Sequence, residues 1–179
     1  CADWAKRADR VVERSASRRT GQPPDRADVA YGSAPRERLD VFLPAVSARG
    51  SAPVIVMVHG GGWCVGDKSM DSVTANKVAR WTTRGFVFVS ANYPMVNDGL
   101  DARAQGDEIA KATAFVQAHA AEWGGDPNKV ILMGHSAGAH LVSLVNADGE
   151  LRRRHGVRPL LGTVSLDAGA IDVVTQMPN

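Results

Sequence analysis

Two short glycine-rich runs carry the residues most able to do chemistry. Gly134-His135-Ser136-Ala137-Gly138 is a GxSxG run that follows an apolar stretch, Lys129 to Met133, and opens a helical one. In that context the serine occupies a tight strand-to-helix turn, glycines supply the volume that flanking side chains would fill, and the Ser136 hydroxyl is pushed outward as a nucleophile. The competing reading is an ordinary helix N-cap in a Gly-rich turn. His59-Gly60-Gly61-Gly62-Trp63 follows a second apolar run, Pro53 to Val58. Three consecutive glycines let the backbone aim several N–H groups at one point, as the oxygen of a tetrahedral intermediate requires. A flexible turn or a phosphate loop is the alternative, but neither GxGxxG nor GxxxxGK[ST] spacing is present.

These runs need a scaffold, and the rest of the chain supplies its signals. Asp28 to Tyr31 and Arg38 to Leu43 are β-prone and separated by Gly32-Ser33-Ala34-Pro35, which predicts an antiparallel hairpin. Val54 to Val58, Phe86 to Ser90 and Lys129 to Met133 are apolar runs, each followed by a helical stretch. That alternation predicts a parallel sheet covered on both faces. Crossover helices are expected over Asp71 to Arg84, Asp101 to Trp123 and Ser136 to about Ala147, then a polar loop from Asp148 to Pro159 and a last strand from Leu160 to Leu166. Ala2 to Arg18 reads as an amphipathic lead-in helix, so residues 1–27 are taken as a helical lead-in and 28–179 as one incomplete α/β domain.

With both motifs in place the chain resembles the α/β-hydrolase esterase family, in the branch that carries HGGGW and GHSAG and includes carboxylesterases and aryl-formamidase-like enzymes. The resemblance runs from Asp28 to about Asp172. It implies an α/β fold: a mostly parallel sheet with an N-terminal antiparallel hairpin. Ser136 matches the nucleophile, Ala137 N–H the oxyanion donor after it, and Gly61 and Gly62 the other donors. His59 matches a histidine that braces the glycine loop and is not the base. Trp63, Tyr93 and Met95 are expected to line the substrate pocket. The implied reaction is hydrolysis of a small-molecule carboxylic ester through an acyl-enzyme, with no metal and no cofactor. Aryl-formamide hydrolysis is the alternative chemistry, and an ester-binding protein with a vestigial site is the non-enzymatic one.

The chain departs from the family in its base. The family places an acid and then a histidine after the serine, and beyond Ser136 stand only His140 and His155. His140 lies one turn into the helix, and that helix carries His155 toward the far edge of the sheet. His119 sits on an amphipathic helix and His135 at the motif's variable position. Asp167, at the end of the last strand, is a candidate acid or else a rim residue, since most relatives take the acid from a later strand; Asp172 matches a structural loop position. Cys64 is a rival nucleophile without an assigned base, and pocket lining suits it better. About six strands are visible where the family needs eight, so the last strands and the general base are expected from a second segment following Asn179.

Composition bounds the partners. The 179 residues are 44% hydrophobic and 22% charged with a formal net charge of +2, too little basic excess to hold a nucleic acid backbone. No run approaches the roughly 18 apolar residues of a membrane span. Cys1 and Cys64 lie in no metal-ligand spacing. Cys1 at the first position matches lipoprotein processing, which would place the chain outside the cytoplasm on a lipid anchor; the alternative is simple trimming of the chain, which leaves a cytoplasmic location open.

Overall fold

A computed structural model describes residues 21–46 and 51–168. The expected lead-in helix, Cys1 and Asp172 lie outside the described residues. Among the described residues six strands form one sheet: β1 (Arg26–Ala30), β2 (Arg38–Phe42), β3 (Ala52–Val58), β4 (Val87–Ala91), β5 (Gly125–His135) and β6 (Gly162–Leu166). Their spatial order is β1-β2-β4-β3-β5-β6. β1 and β2 form the expected antiparallel hairpin, β2 runs antiparallel to β4, and β4, β3, β5 and β6 are mutually parallel.

Side chains alternate across the pleat, which splits each apolar run between two cores. Val54, Val56 and Val58 of β3 join Val87, Val89, Val130 and Leu132 on one face, whereas Ile55 and Met57 join Phe42, Phe88 and Met133 on the other. Helix α1 (Asp71–Thr82) covers the second face with Val73 and Val78. The first face is covered by α2 (Ala102–His119), through Ile109, Ala112 and Val116, and by α3 (Ala137–Ala147), through Leu141, Val142 and Val145. Burial on both faces is what makes these strands read as unbroken apolar runs.

Two elements differ from expectation. The second crossover helix gives way at His119 to a 3-10 turn, Ala120–Trp123, which Gly124 ends in the left-handed region at φ 77°. The expected polar loop after Ala147 instead holds α4 (Gly149–His155). Asp148 caps it by accepting from Glu150 N–H and Leu151 N–H, and Leu151 is its single buried side chain. One apolar residue leaves no periodicity to read, so a seven-residue helix looks like a loop.

Candidate active site

Ser136 sits at the turn from β5 into α3 with φ 52° and ψ −119°. A side-chain-bearing residue there is strained by roughly 1–3 kcal/mol. The surroundings explain how the strain is held. A Cβ on Gly134 would lie 2.2 Å from Gly138 O, and one on Gly138 would lie 2.3 Å from Val58 O. Neither glycine admits a methyl group without moving backbone. Ser136 N–H is tied to Leu166 O on β6 at 2.9 Å. Its hydroxyl makes no capping hydrogen bond to α3, which sets aside the ordinary N-cap reading.

The glycine loop lies directly against this turn. A Cβ on Gly60 would come 2.7 Å from His135 O and 3.0 Å from Ser136 Cβ. Gly61, Gly62 and Trp63 take φ values of 133°, 59° and 62°, curling the loop so that Cys64 N–H and Val65 N–H both reach Gly61 O at 3.1 Å. Among the described residues the N–H groups of Gly61, Gly62 and Ala137 donate to no acceptor. Ala137 is also the first residue of α3, where unpaired N–H groups and the helix dipole favour negative charge.

His59 braces the loop from behind. Its ring is fully buried and stacks on Tyr93 at 4.6 Å, and Nδ1–H donates to Gly60 O at 2.8 Å. Burial holds its pKa down to about 4, so the imidazole is neutral at physiological pH. The Tyr93 hydroxyl donates to His59 O at 3.0 Å, and Arg36 donates to Tyr93 O and to Gly66 O. Tyr93, expected to line the pocket, is fully buried behind the loop.

Trp63 and Met95 are nearly buried at the loop's outer side, and the Trp63 ring meets the His140 ring edge-on at 5.6 Å. Cys64 is buried, and no described cysteine is a free thiol. Asp167 follows β6 at φ 51° and is exposed. The pairing of His135 with Leu166 sets it beside the Ser136 turn at the same edge of the sheet. No histidine in the described residues bonds to Ser136 Oγ: His119 is bound to Phe115 O, and His155 Nε2 lies 2.9 Å from Asp107. Burial lowers the His140 pKa.

Three residues that hold the loop carried little signal in the sequence. Lys68 places Nζ 2.8 Å from both Asp28 and Asp40; burial would lower its pKa, but the two carboxylates keep it raised. Asn92 accepts from Lys68 N–H at 2.7 Å and donates to Asp67 at 2.7 Å. Gln105 donates to Trp63 O at 3.1 Å and to Leu100 O at 3.0 Å. Its signal was a glutamine in line with Ile109, Ala112 and Val116 on the buried stripe of α2.

A mixed sheet in this strand order, with a serine elbow after β5 and a glycine loop after β3, defines an α/β-hydrolase fold. The chain belongs to the BD-FAE family, whose sequence model matches residues 39–164. It is similar to a probable isoprenylcysteine alpha-carbonyl methylesterase of Arabidopsis thaliana, 36% identical over 118 residues, covering 66% of this chain and 24% of that protein. It is also similar to the esterase LipQ of Mycobacterium tuberculosis, 32% identical over 120 residues, covering 66% of this chain and 28% of the other. Among solved structures, esterase B from Lactobacillus rhamnosis aligns with a TM-score of 0.67 at 26% identity, covering 93% of this chain and 52% of that one. The chain thus spans about a quarter of the length of these curated relatives and about half of that solved esterase.

Proposed function

We propose that the chain supplies the nucleophile and the oxyanion hole of a serine hydrolase acting on small-molecule carboxylic esters. Ser136 Oγ attacks the carbonyl carbon, and the carbonyl π electrons move onto oxygen, where the N–H groups of Gly61, Gly62 and Ala137 receive the charge. Collapse of the intermediate expels the alcohol and leaves an acyl group on Ser136; water then releases the acid. The general base this reaction needs is a histidine outside the described residues, and Asp167 stands at the edge where an acid could orient it. The observation that carries this reading is Ser136 itself, strained at φ 52°, with its hydroxyl uncommitted to α3 and the glycine loop packed against its Cβ. The printed names of the relatives support ester over formamide substrates, since they describe a methylesterase and esterases.

An organophosphonate probe tests it. The full-length wild-type protein should be labelled on the peptide containing Ser136, and Ser136→Ala should lose both the label and ester turnover. Labelling that persists in Ser136→Ala would overturn the nucleophile. Short-chain nitrophenyl esters should be hydrolysed much faster than a formanilide; the reverse order would move the assignment to aryl-formamide hydrolysis.

A further inference from the structure

Gln105 is fully buried on α2, 42 residues away along the chain from the loop it touches. Its amide nitrogen carries two protons, and both are used: one goes to Trp63 O, the other to Leu100 O. Trp63 is the residue on which the glycine loop leaves the Ser136 region, and it sits in the left-handed region at φ 62°. A tryptophan adopts that conformation only when its neighbours over-determine it. The neighbours are few: Val96 N–H also donates to Trp63 O at 3.0 Å, and Asn97 donates to Cys64 O at 3.1 Å. Leu100 closes the turn that contains both of those donors, through its own N–H to Met95 O. Gln105 therefore joins the exit of the glycine loop directly, and through Leu100 it also anchors the 95–100 turn that grips the same exit.

We infer that Gln105 is a positioning residue for the oxyanion hole: its two hydrogen bonds lock the left-handed Trp63 and the 95–100 turn together and thereby fix where the Gly61 and Gly62 N–H groups point. This rests on the serine-hydrolase reading above. Gln105 touches neither substrate nor Ser136, so it acts on the rate through geometry. Releasing Trp63 O lets the loop relax toward ordinary backbone angles, and the donors drift from the place where oxyanion charge develops. Ground-state binding needs those donors far less than the transition state does. The effect belongs in kcat.

The test uses Gln105→Met in the full-length protein, which keeps the side-chain volume and removes both donors. Misplacement by about 1 Å costs on the order of a hundredfold, so a tenfold to hundredfold loss of kcat on a nitrophenyl ester is expected, with KM within about threefold. Gln105→Glu, which keeps the shape and donates one bond when protonated, should recover part of that loss as pH is lowered toward 6, relative to wild type at each pH. Val116→Ala, a cavity on the same helix away from the loop, should lower the melting temperature comparably and leave kcat unchanged. An unchanged kcat in Gln105→Met, or an equal kcat loss in Val116→Ala, would overturn the role of Gln105. If Gln105→Met does not fold, the Glu variant decides alone: wild-type kcat above pH 8, where its carboxylate donates nothing, overturns the role. Absence of turnover and phosphonate labelling in the wild-type protein overturns the hydrolase reading, and the role of Gln105 falls with it.

Discussion

Gly60→Ala separates the glycine loop's catalytic placement from its contribution to stability. The added Cβ would stand 2.7 Å from His135 O, whereas ordinary contact begins at 3.4 Å, so loop and elbow must part by about 0.7 Å, the difference of those two distances. Neither side can absorb this by rotating a side chain, because the clash is with a backbone carbonyl and with Ser136 Cβ. The Gly61 and Gly62 donors move with the loop. Loss of one oxyanion donor costs about a hundredfold or more in kcat, and a displacement of this size approaches that limit, so we expect a loss of roughly 30- to 100-fold. KM should stay within about threefold. Gly85→Ala is the matched control: Gly85 has φ 83° and nothing within 4 Å of its would-be Cβ. It incurs only the left-handed strain of about 1 kcal/mol, or about 2–4 °C in melting temperature, with kcat unchanged. Steady-state ester hydrolysis and thermal melts of both variants decide the matter. Wild-type kcat in a folded Gly60→Ala protein, or a defect confined to KM, would refute the placement of the loop over Ser136.

Three further outcomes follow from burial and charge. His59 is held to about 4 by burial against an ordinary value of 6.5, so the unfolded chain takes up a proton between those values that the native protein refuses; stability is full above pH 6.5 and falls by about 3 kcal/mol as pH drops to 4. Melting temperatures from pH 7 to 4.5 should show that slope, and His59→Asn should flatten it. Glu108 has the opposite sign: burial, then its hydrogen bond with Glu37, raises its pKa to about 7, so its contribution is full below pH 4.5 and is lost as pH rises through 7. Glu108→Gln should therefore melt higher than wild type at pH 8 and lose that advantage at pH 5. Leu132→Ala, at a fully buried position of β5, should cost about 2–5 kcal/mol in denaturant titrations without changing which residue a phosphonate labels.

Legibility of the fold and the site followed one physical distinction. The elbow could be read because its constraint is local: a serine forced to φ 52° between two positions that admit no Cβ demands glycine at 134 and 138, and that demand is written at fixed spacing. The glycine loop was legible for the same reason, through the positive φ values of Gly61 and Gly62. The parallel strands declared themselves by being buried on both faces. What stayed hidden was α4, whose helix depends on one cap and one buried leucine, and the full burial of Tyr93.

An aromatic residue beside a motif either faces the pocket or packs behind it, and its own neighbours in sequence do not say which. Tyr93 packs behind because His59 stacks on it and Arg36 binds its carbonyl, across 34 and 57 residues of chain respectively. Gln105 and Trp63 meet across 42 residues in the same way. Backbone conformation is encoded at the position that adopts it; a long-range hydrogen bond is encoded at two distant positions, neither of which is unusual alone. A buried glutamine within an apolar helical stripe is nonetheless a readable exception. Burying an amide without partners is costly, so a polar side chain at 0% exposure implies acceptors supplied by something other than its own helix. On α2 those acceptors are the two loop carbonyls that flank the exit from the glycine loop, which makes the core of this fold and the geometry of its candidate oxyanion hole parts of one packing problem.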